Sequence, residues 1–219
     1  MPVDYGLVLT LVSASIGLQL LATGSSGTRL LTVALQAATL VAAVWTAGAR
    51  LRLVRLAATV AMLMVFASAV LWLVHGSVPP APAGIVNGLL VGVAPAVLAA
   101  GLLRALRDDG AVTLRTVAGV LAIFLLAGMF FSFIYSVIGA FDADAVFAGQ
   151  VSSTASENLY FSFVTLATVG YGDLTPSADV TRTFAVAEML FGQIYLVTVV
   201  ALIVSNLGRR RDPVTPPLR

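Results

Sequence analysis

The sequence of 219 residues contains no cysteine, no lysine and a single histidine. Without cysteine the chain has neither disulfide bonds nor thiolate chemistry, and one histidine excludes a histidine-cluster metal site. Charged residues are also scarce. They make up 10% of the chain, against 59% hydrophobic residues and a mean hydropathy of +1.02, whereas a typical soluble domain has about 25% charged residues. This composition predicts an integral membrane protein.

Apolar segments long enough to span a bilayer occur six times, since a spanning helix needs about 20 apolar residues. They are Tyr5 to Ala22, Leu30 to Ala47, Leu53 to Val74, Ile85 to Leu106, Val112 to Ala140 and Val180 to Leu207. Glycine and serine, an arginine-rich turn and three prolines separate the first four, which is the chemistry of helix ends. We therefore expect an all-α membrane protein with six transmembrane helices.

Arginine placement predicts the orientation of these helices. If all six segments span the membrane, ten of the twelve arginines fall on one side, in alternate loops and the C-terminal tail. Short cytoplasmic loops carry the excess of arginine in membrane proteins. The sequence therefore predicts a multi-pass protein of the cell membrane with both termini cytoplasmic.

The loop between the fifth and sixth segments contains a second, shorter apolar stretch, Glu157 to Ala167. At about 16 Å of helix it is too short to span, and we expect a re-entrant helix enclosed by protein, with Ser156 or Thr154 as its cap. The preceding residues, Asp142 to Ser156, are small and polar, and we expect them to form an exposed turret on the extracellular side.

The string Thr168-Val169-Gly170-Tyr171-Gly172-Asp173 follows this short helix. A cation that sheds its water needs a replacement shell of oxygens, and consecutive backbone carbonyls supply one if they point to the same side. Gly170 and Gly172 permit positive φ, and alternating them with Val169 and Tyr171 turns the carbonyls of Thr168 to Tyr171 toward one axis. A glycine turn between two membrane helices would be the simpler interpretation, but it leaves the other four residues unexplained.

This string resembles the selectivity-filter signature of the potassium channel family residue for residue. The resemblance is strong from Leu114 to Leu207 and strongest from Leu159 to Thr175. It implies K⁺ sites formed by Thr168, Val169, Gly170, Tyr171 and Gly172. One loop supplies one wall of a pore, so we expect a homotetramer.

Several side chains are candidates for supporting this loop. Asp173 lies at its outer mouth, and Tyr160 or water is its candidate partner. In many members of the family a tryptophan of an aromatic pair near this helix bonds the aspartate, whereas the pair here is Tyr160-Phe161. Glu188 is the one carboxylate well inside an apolar segment, and such a group has a partner or a water path. It either forms a hydrogen bond behind the loop, to Ser162, Thr165 or a neighbouring chain, or faces an aqueous cavity and attracts cations.

The sixth segment is expected to line the inner cavity. Gly192 lies near its middle, and in the family a glycine at this distance is a gating hinge. Close helix packing explains the same glycine equally well. The cavity candidates at helical spacing are Gln193, Leu196, Val200 and Val204.

The first four segments lack the arginine series that the family's voltage sensors carry, since the fourth has no charge before Arg104. We expect a four-helix N-terminal domain over residues 1–108 without gating charges, a pore domain over 109–208 and a short basic tail over 209–219. Arg209, Arg210 and Arg211 are candidate contacts for anionic lipid, besides their role as a topology anchor.

The predicted function is a passive potassium channel that is not voltage-gated in the usual way. The alternatives are a nonselective cation channel and a non-conducting membrane subunit that assembles with other channels. No motif of an enzyme, cofactor site or nucleic-acid interface is present, so we expect no catalysis and no cofactor beyond the permeant ion.

Overall fold

The computed structural model describes residues 5–21, 26–76, 80–109, 113–149 and 152–207. Helices dominate these residues: α1 (Tyr5–Leu21), α2 (Ser26–Thr46), α3 (Leu51–His75), α4 (Pro80–Asp109), α5 (Leu114–Phe141), α6 (Ala155–Leu166) and α7 (Asp179–Leu207), with a single 3₁₀ turn at Ala143–Ala145. The described residues contain no strand, only an isolated bridge between Phe147 and Pro176. The prediction of an all-α protein is confirmed.

Four of these helices are long and apolar enough to cross a membrane, over Gly27–Thr46, Leu51–Val74, Ile85–Arg104 and Thr116–Phe141. The apolar helix α1 has 17 residues, just below the usual range for a span. Helix α7 has 29 residues, but its first ten include Asp179, Arg182 and Glu188. The count of six spans stays a prediction.

Local sequence signals set several helix ends. The side chain of Thr113 accepts from the backbone N–H of Thr116 in a capping box that starts α5. Helix α3 ends at Gly76, whose φ of 69° is the left-handed conformation that glycine adopts at little cost. Helix α4 continues through Pro95, as membrane helices often do.

Small residues allow close contact between the helices. A Cβ added to Gly92 in α4 would lie 2.8 Å from the ring of Phe130 in α5, and one added to Gly101 would lie 2.7 Å from the backbone of Ala47 after α2. Lipid is as apolar as these side chains, so close packing rather than water exclusion holds such helices together.

Helix α1 runs beside α5, with the ring of Tyr5 against Gly119. One hydrophobic core cluster contains residues of α1, α2 and α4 together with residues of α5 and α6. The predicted domain boundary at residue 108 therefore falls within a continuously packed region, and it stays a prediction.

The turret differs from its prediction. Ala145, Val146 and Phe147 are buried, and Phe147 packs against Phe161 of α6 with ring centroids 5.0 Å apart. The segment also pairs with the chain that follows the re-entrant loop, where Ala148 N–H donates to the carbonyl of Thr175 at 2.9 Å. The expectation of an exposed turret was wrong for these three residues, because this long-range pairing leaves no mark in local composition.

Candidate functional site

The site is the re-entrant loop, the residues from Thr168 to Asp173 that follow α6. Helix α6 positions this loop. Thr154 is the cap of α6: its hydroxyl accepts from Glu157 N–H at 3.2 Å, and the Glu157 carboxylate accepts from Thr154 N–H at 2.7 Å. This capping box satisfies two orphan donors at once. The 12 residues of α6 extend about 18 Å, close to the predicted length, and end with the negative pole of the helix dipole at the loop.

The loop backbone is bonded to the end of α6. The N–H of Thr168 donates to the carbonyl of Thr165 at 2.9 Å, and the N–H of Val169 donates to the carbonyl of Val164 at 2.9 Å. These bonds use the carbonyl groups that a helix leaves free at its C-terminus. The first residues of the string are thereby held in one position relative to α6.

Positive φ alternates along the string. Thr168, Gly170 and Gly172 have φ of 57°, 59° and 80°, while Val169 and Tyr171 between them do not have positive φ. Positive φ at Gly170 and Gly172 matches the conformation predicted from the sequence, whereas positive φ at Thr168 was not predicted. A residue with a Cβ is strained in this region by about 1–3 kcal/mol. The alternation is the backbone pattern that turns successive carbonyls to the same side.

Tyr160 and Asp173 are joined across the outer end of the loop. The Tyr160 hydroxyl donates to a carboxylate oxygen of Asp173 at 2.8 Å, and the Tyr160 ring stacks on Tyr171 at a centroid distance of 6.4 Å. The hydrogen bond from Tyr160 lowers the pKa of Asp173, and the same bond raises the pKa of Tyr160. Asp173 therefore carries a negative charge at the mouth at neutral pH.

Glu188 lies fully buried between three helices. It accepts from the hydroxyl of Tyr135 in α5 at 2.6 Å and from the hydroxyl of Ser162 in α6. Within the described residues Thr165 makes no hydrogen bond to it. Of the two predicted placements, the structure has Glu188 behind the loop rather than in a cavity.

The sequence-based prediction missed Tyr135, which ties α5 to this carboxylate. A tyrosine in an otherwise apolar helix was the available signal, since a buried hydroxyl needs a partner. It also missed Asn158, whose side-chain amide donates to Ser136 of α5 at 3.0 Å. Helix α5 is thus joined to α6 by polar contacts as well as by packing.

Helix α1 also contacts α6. The side-chain amide of Gln19 donates to the carbonyl of Ala155 at 3.4 Å, and Gln19 is buried. The sequence analysis gave the first four helices no link to the loop. This contact connects the beginning of the chain to the first turn of the re-entrant helix.

Gly192 is buried where α7 crosses the end of α6. A Cβ placed on it would lie 2.0 Å from the carbonyl oxygen of Leu166, far closer than any real contact. The structure therefore supports the close-packing interpretation of Gly192 at its present position. A hinge role at the same residue stays a prediction.

The cavity candidates of α7 fall into two groups. Gln193 and Leu196 are exposed on the isolated chain, on a surface free to face a pore. The side chains of Val200 and Val204, and Arg209, Arg210 and Arg211 of the tail, lie outside the described residues.

A family model matches the part of the chain that contains this site, and two curated proteins are similar to the chain. Residues 119–209 match the family model described as ion channel. Over 88 residues the chain is 39% identical to two pore potassium channel a of Oryza sativa subsp. japonica, covering 39% of this chain and 24% of that protein. Over 63 residues it is 41% identical to protein LctB of Geobacillus stearothermophilus, covering 29% of this chain and 46% of that protein. The chain thus spans less than half the length of both curated relatives.

Proposed function

We propose that this chain, whose residues 119–209 match the family model described as ion channel, forms a passive, potassium-selective channel as a homotetramer. The observation that carries the proposal is the alternation of positive φ at Thr168, Gly170 and Gly172. Four copies of a loop with this backbone would surround an axis with rings of carbonyl oxygens. Such rings replace the water shell of a potassium ion.

Charge along the pathway favours a cation at both ends of the loop. The C-terminal pole of α6 is negative and adjoins Thr168 at the inner end. The Asp173 carboxylate, with its lowered pKa, adds charge at the outer mouth. In a tetramer each of these groups occurs four times, which concentrates cations and repels anions at the entrance.

The exposed surfaces of the single chain support assembly. Val169 and Tyr171 are 51% and 71% exposed, and α7 exposes large apolar side chains at Val186, Leu190, Ile194 and Val197. Exposed apolar surface in a loop of this kind is unfavourable unless protein covers it. Neighbouring copies of the chain would cover the loop and the free faces of α7.

We place the channel in the cell membrane with both termini cytoplasmic, on the arginine distribution described above. The mouth at Asp173 then faces outward. Among the described side chains of α4, Arg104 is the one charged group, and it donates to the carbonyl of Ala47 at 3.4 Å near the end of the helix. This supports conduction without steep voltage gating.

Flux from liposomes tests the proposal. The purified chain is reconstituted with a potassium gradient, and tracer or dye-coupled flux is measured for K⁺ and for Na⁺ under matched conditions. We expect K⁺ flux well above Na⁺ flux. Equal flux of the two ions would instead identify a nonselective cation channel, and no flux from a closed tetramer would identify a non-conducting subunit.

A further inference from the structure

An apolar groove of about 720 Å³ runs between α1, α2 and α3. Leu11 of α1, Ala38 and Trp45 of α2, and Val54 and Val65 of α3 are among the residues that line it, and all its lining side chains are apolar. Of the lining side chains, Leu7, Trp45 and Met62 are exposed. The groove therefore opens toward whatever surrounds these helices.

The groove has the length of one bilayer leaflet. From Val54 to Val65 α3 rises about 16 Å, and half of a hydrocarbon core is about 15 Å. Trp45 lies at the same end as Val54 and is half-exposed, in keeping with the tendency of tryptophan to lie at membrane interfaces. One end of the groove thus lies at headgroup depth and the other near the bilayer centre.

Arginines stand at the headgroup end. Arg50, Arg52 and Arg55 are all exposed, and none of the three has a carboxylate partner among the described residues. Arg55 precedes Ala58 and Met62 of the groove lining by three and seven residues, so it shares their face of α3. Positive charge therefore lies beside the headgroup end of the apolar groove.

We propose that this groove binds the acyl chain of an anionic phospholipid, with the lipid phosphate held by Arg50, Arg52 and Arg55. Arginine recognises phosphate through a planar set of donors, and the apolar lining accepts a hydrocarbon chain. A second copy related by a twofold axis fits less well, because that contact would bring the two arginine clusters together. The site requires membrane insertion and does not depend on ion conduction.

Trp45 provides a local probe. The chain has two tryptophans, so Trp72→Phe leaves Trp45 as the only one. This variant is reconstituted in mixed vesicles in which either phosphatidylglycerol or phosphatidylcholine has brominated acyl chains, which quench nearby tryptophan. We expect brominated phosphatidylglycerol to quench more strongly at equal mole fraction, with a relative association constant roughly fivefold higher or more.

Two further variants distinguish lipid binding at this groove from a general attraction of anionic lipid to the positive charge of the protein. In the same background, the triple change R50Q/R52Q/R55Q should remove the preference for phosphatidylglycerol. The charge-matched control R209Q/R210Q/R211Q should keep it, because quenching of Trp45 reports lipid in the groove and not lipid bound by the tail. Elution volume and the far-ultraviolet circular dichroism spectrum verify that both variants are folded.

Three results would overturn the proposal. Equal quenching by both lipids in the arginine-intact chain would show that the groove does not select headgroups. Equal loss of preference in the two triple variants would indicate attraction by overall charge. Absence of quenching by either lipid, with crosslinking from position 45 to another chain, would identify the groove as a subunit interface. None of these readouts requires potassium flux, so they are distinct from failure of the proposed channel function.

Discussion

The backbone of Gly192 in α7 lies directly against the carbonyl oxygen of Leu166, the last residue of α6. The space between them is too small for one methyl group, since a Cβ on Gly192 would lie 2.0 Å from that oxygen. The obstructing atom belongs to the backbone, so a side-chain rotation cannot relieve the overlap. Helices α7 and α6 are thus in contact at a position where glycine is required.

Gly192→Ala should destabilise the protein by about 1–3 kcal/mol, because the added methyl group forces α7 away from α6. Thermal unfolding of the purified protein measures the effect. Gly17→Ala is the matched control, since nothing lies within 4 Å of the added Cβ there. If Gly192→Ala leaves the melting temperature unchanged but alters channel opening, the residue is a hinge and not a packing contact.

Removing one partner of Glu188 should cost about 1–3 kcal/mol, the penalty for an unsatisfied buried polar group. Tyr135→Phe takes away the hydroxyl that donates to Glu188 at 2.6 Å. Glu188→Gln keeps the shape of the side chain and serves as the second arm of a double-mutant cycle. Additive effects of the two substitutions on the free energy of unfolding would show that the contact carries no coupling energy.

Gly170→Ala should reduce the selectivity for K⁺ over Na⁺. The φ of 59° at this position costs an L residue about 1–2 kcal/mol, and the backbone relaxes away from the conformation that aligns the carbonyls. Paired K⁺ and Na⁺ flux measurements test this.

Gly149→Ala is the control for this substitution. Gly149 has a φ of 77° and no atom within 4 Å of an added Cβ, as is also true of Gly170, but it lies in the turret. It should leave selectivity unchanged. Equal loss of selectivity in both variants would contradict a specific role for the Gly170 conformation.

Between pH 8 and pH 5, titration of Asp173 should not change the potassium flux. The hydrogen bond from Tyr160 lowers the pKa of Asp173. A carboxyl group whose pKa is lower in the folded protein than in the unfolded chain stabilises the fold at pH values above the unfolded pKa of about 3.9. This stabilisation is lost as the pH falls through the lower folded pKa.

Tyr160→Phe should move the acid-induced loss of flux to higher pH, because without the donor the pKa of Asp173 rises toward its usual value. Flux at external pH values from about 3 to 8, bracketing the carboxyl range, measures the midpoint. Asp173→Asn removes the titrating group and should abolish this transition. Coincident midpoints for the parent and Tyr160→Phe would show that the bond does not control the ionisation of Asp173.

Open probability should depend only weakly on voltage. Moving one charge through the field is worth about 2.3 kcal/mol per 100 mV, and the arginines of α4, Arg104 and Arg107, both lie in its last six residues. Single-channel recording in planar bilayers across ±100 mV tests this. A steep rise in opening would require a gating charge elsewhere in the chain.

The sequence predicted those features that arise from neighbouring residues. The string Thr168 to Asp173 carries its own backbone preferences through its glycines, and α6 falls within two residues of its predicted start and one of its predicted end. Thr154 was one of two predicted caps. In each case the determining interactions span only a few residues, so a local pattern suffices.

Features that join distant parts of the chain were not predictable in the same way. The partner of Glu188 in α5 is 53 residues away, and no spacing rule connects the two. The burial of Val146 and Phe147 depends on chain that follows the loop. The overlap at Gly192 depends on the angle at which two helices cross, which composition does not encode.

The hydrogen bond between Gln19 and Ala155 has a consequence for biosynthesis. The two residues are separated by 136 positions, and at about 5–20 residues per second a ribosome needs roughly 7–27 s to cover that distance. During this interval the Gln19 amide lacks its final partner. The Gln19 contact can therefore form only after Ala155 has been synthesised, much later than the helix that carries Gln19.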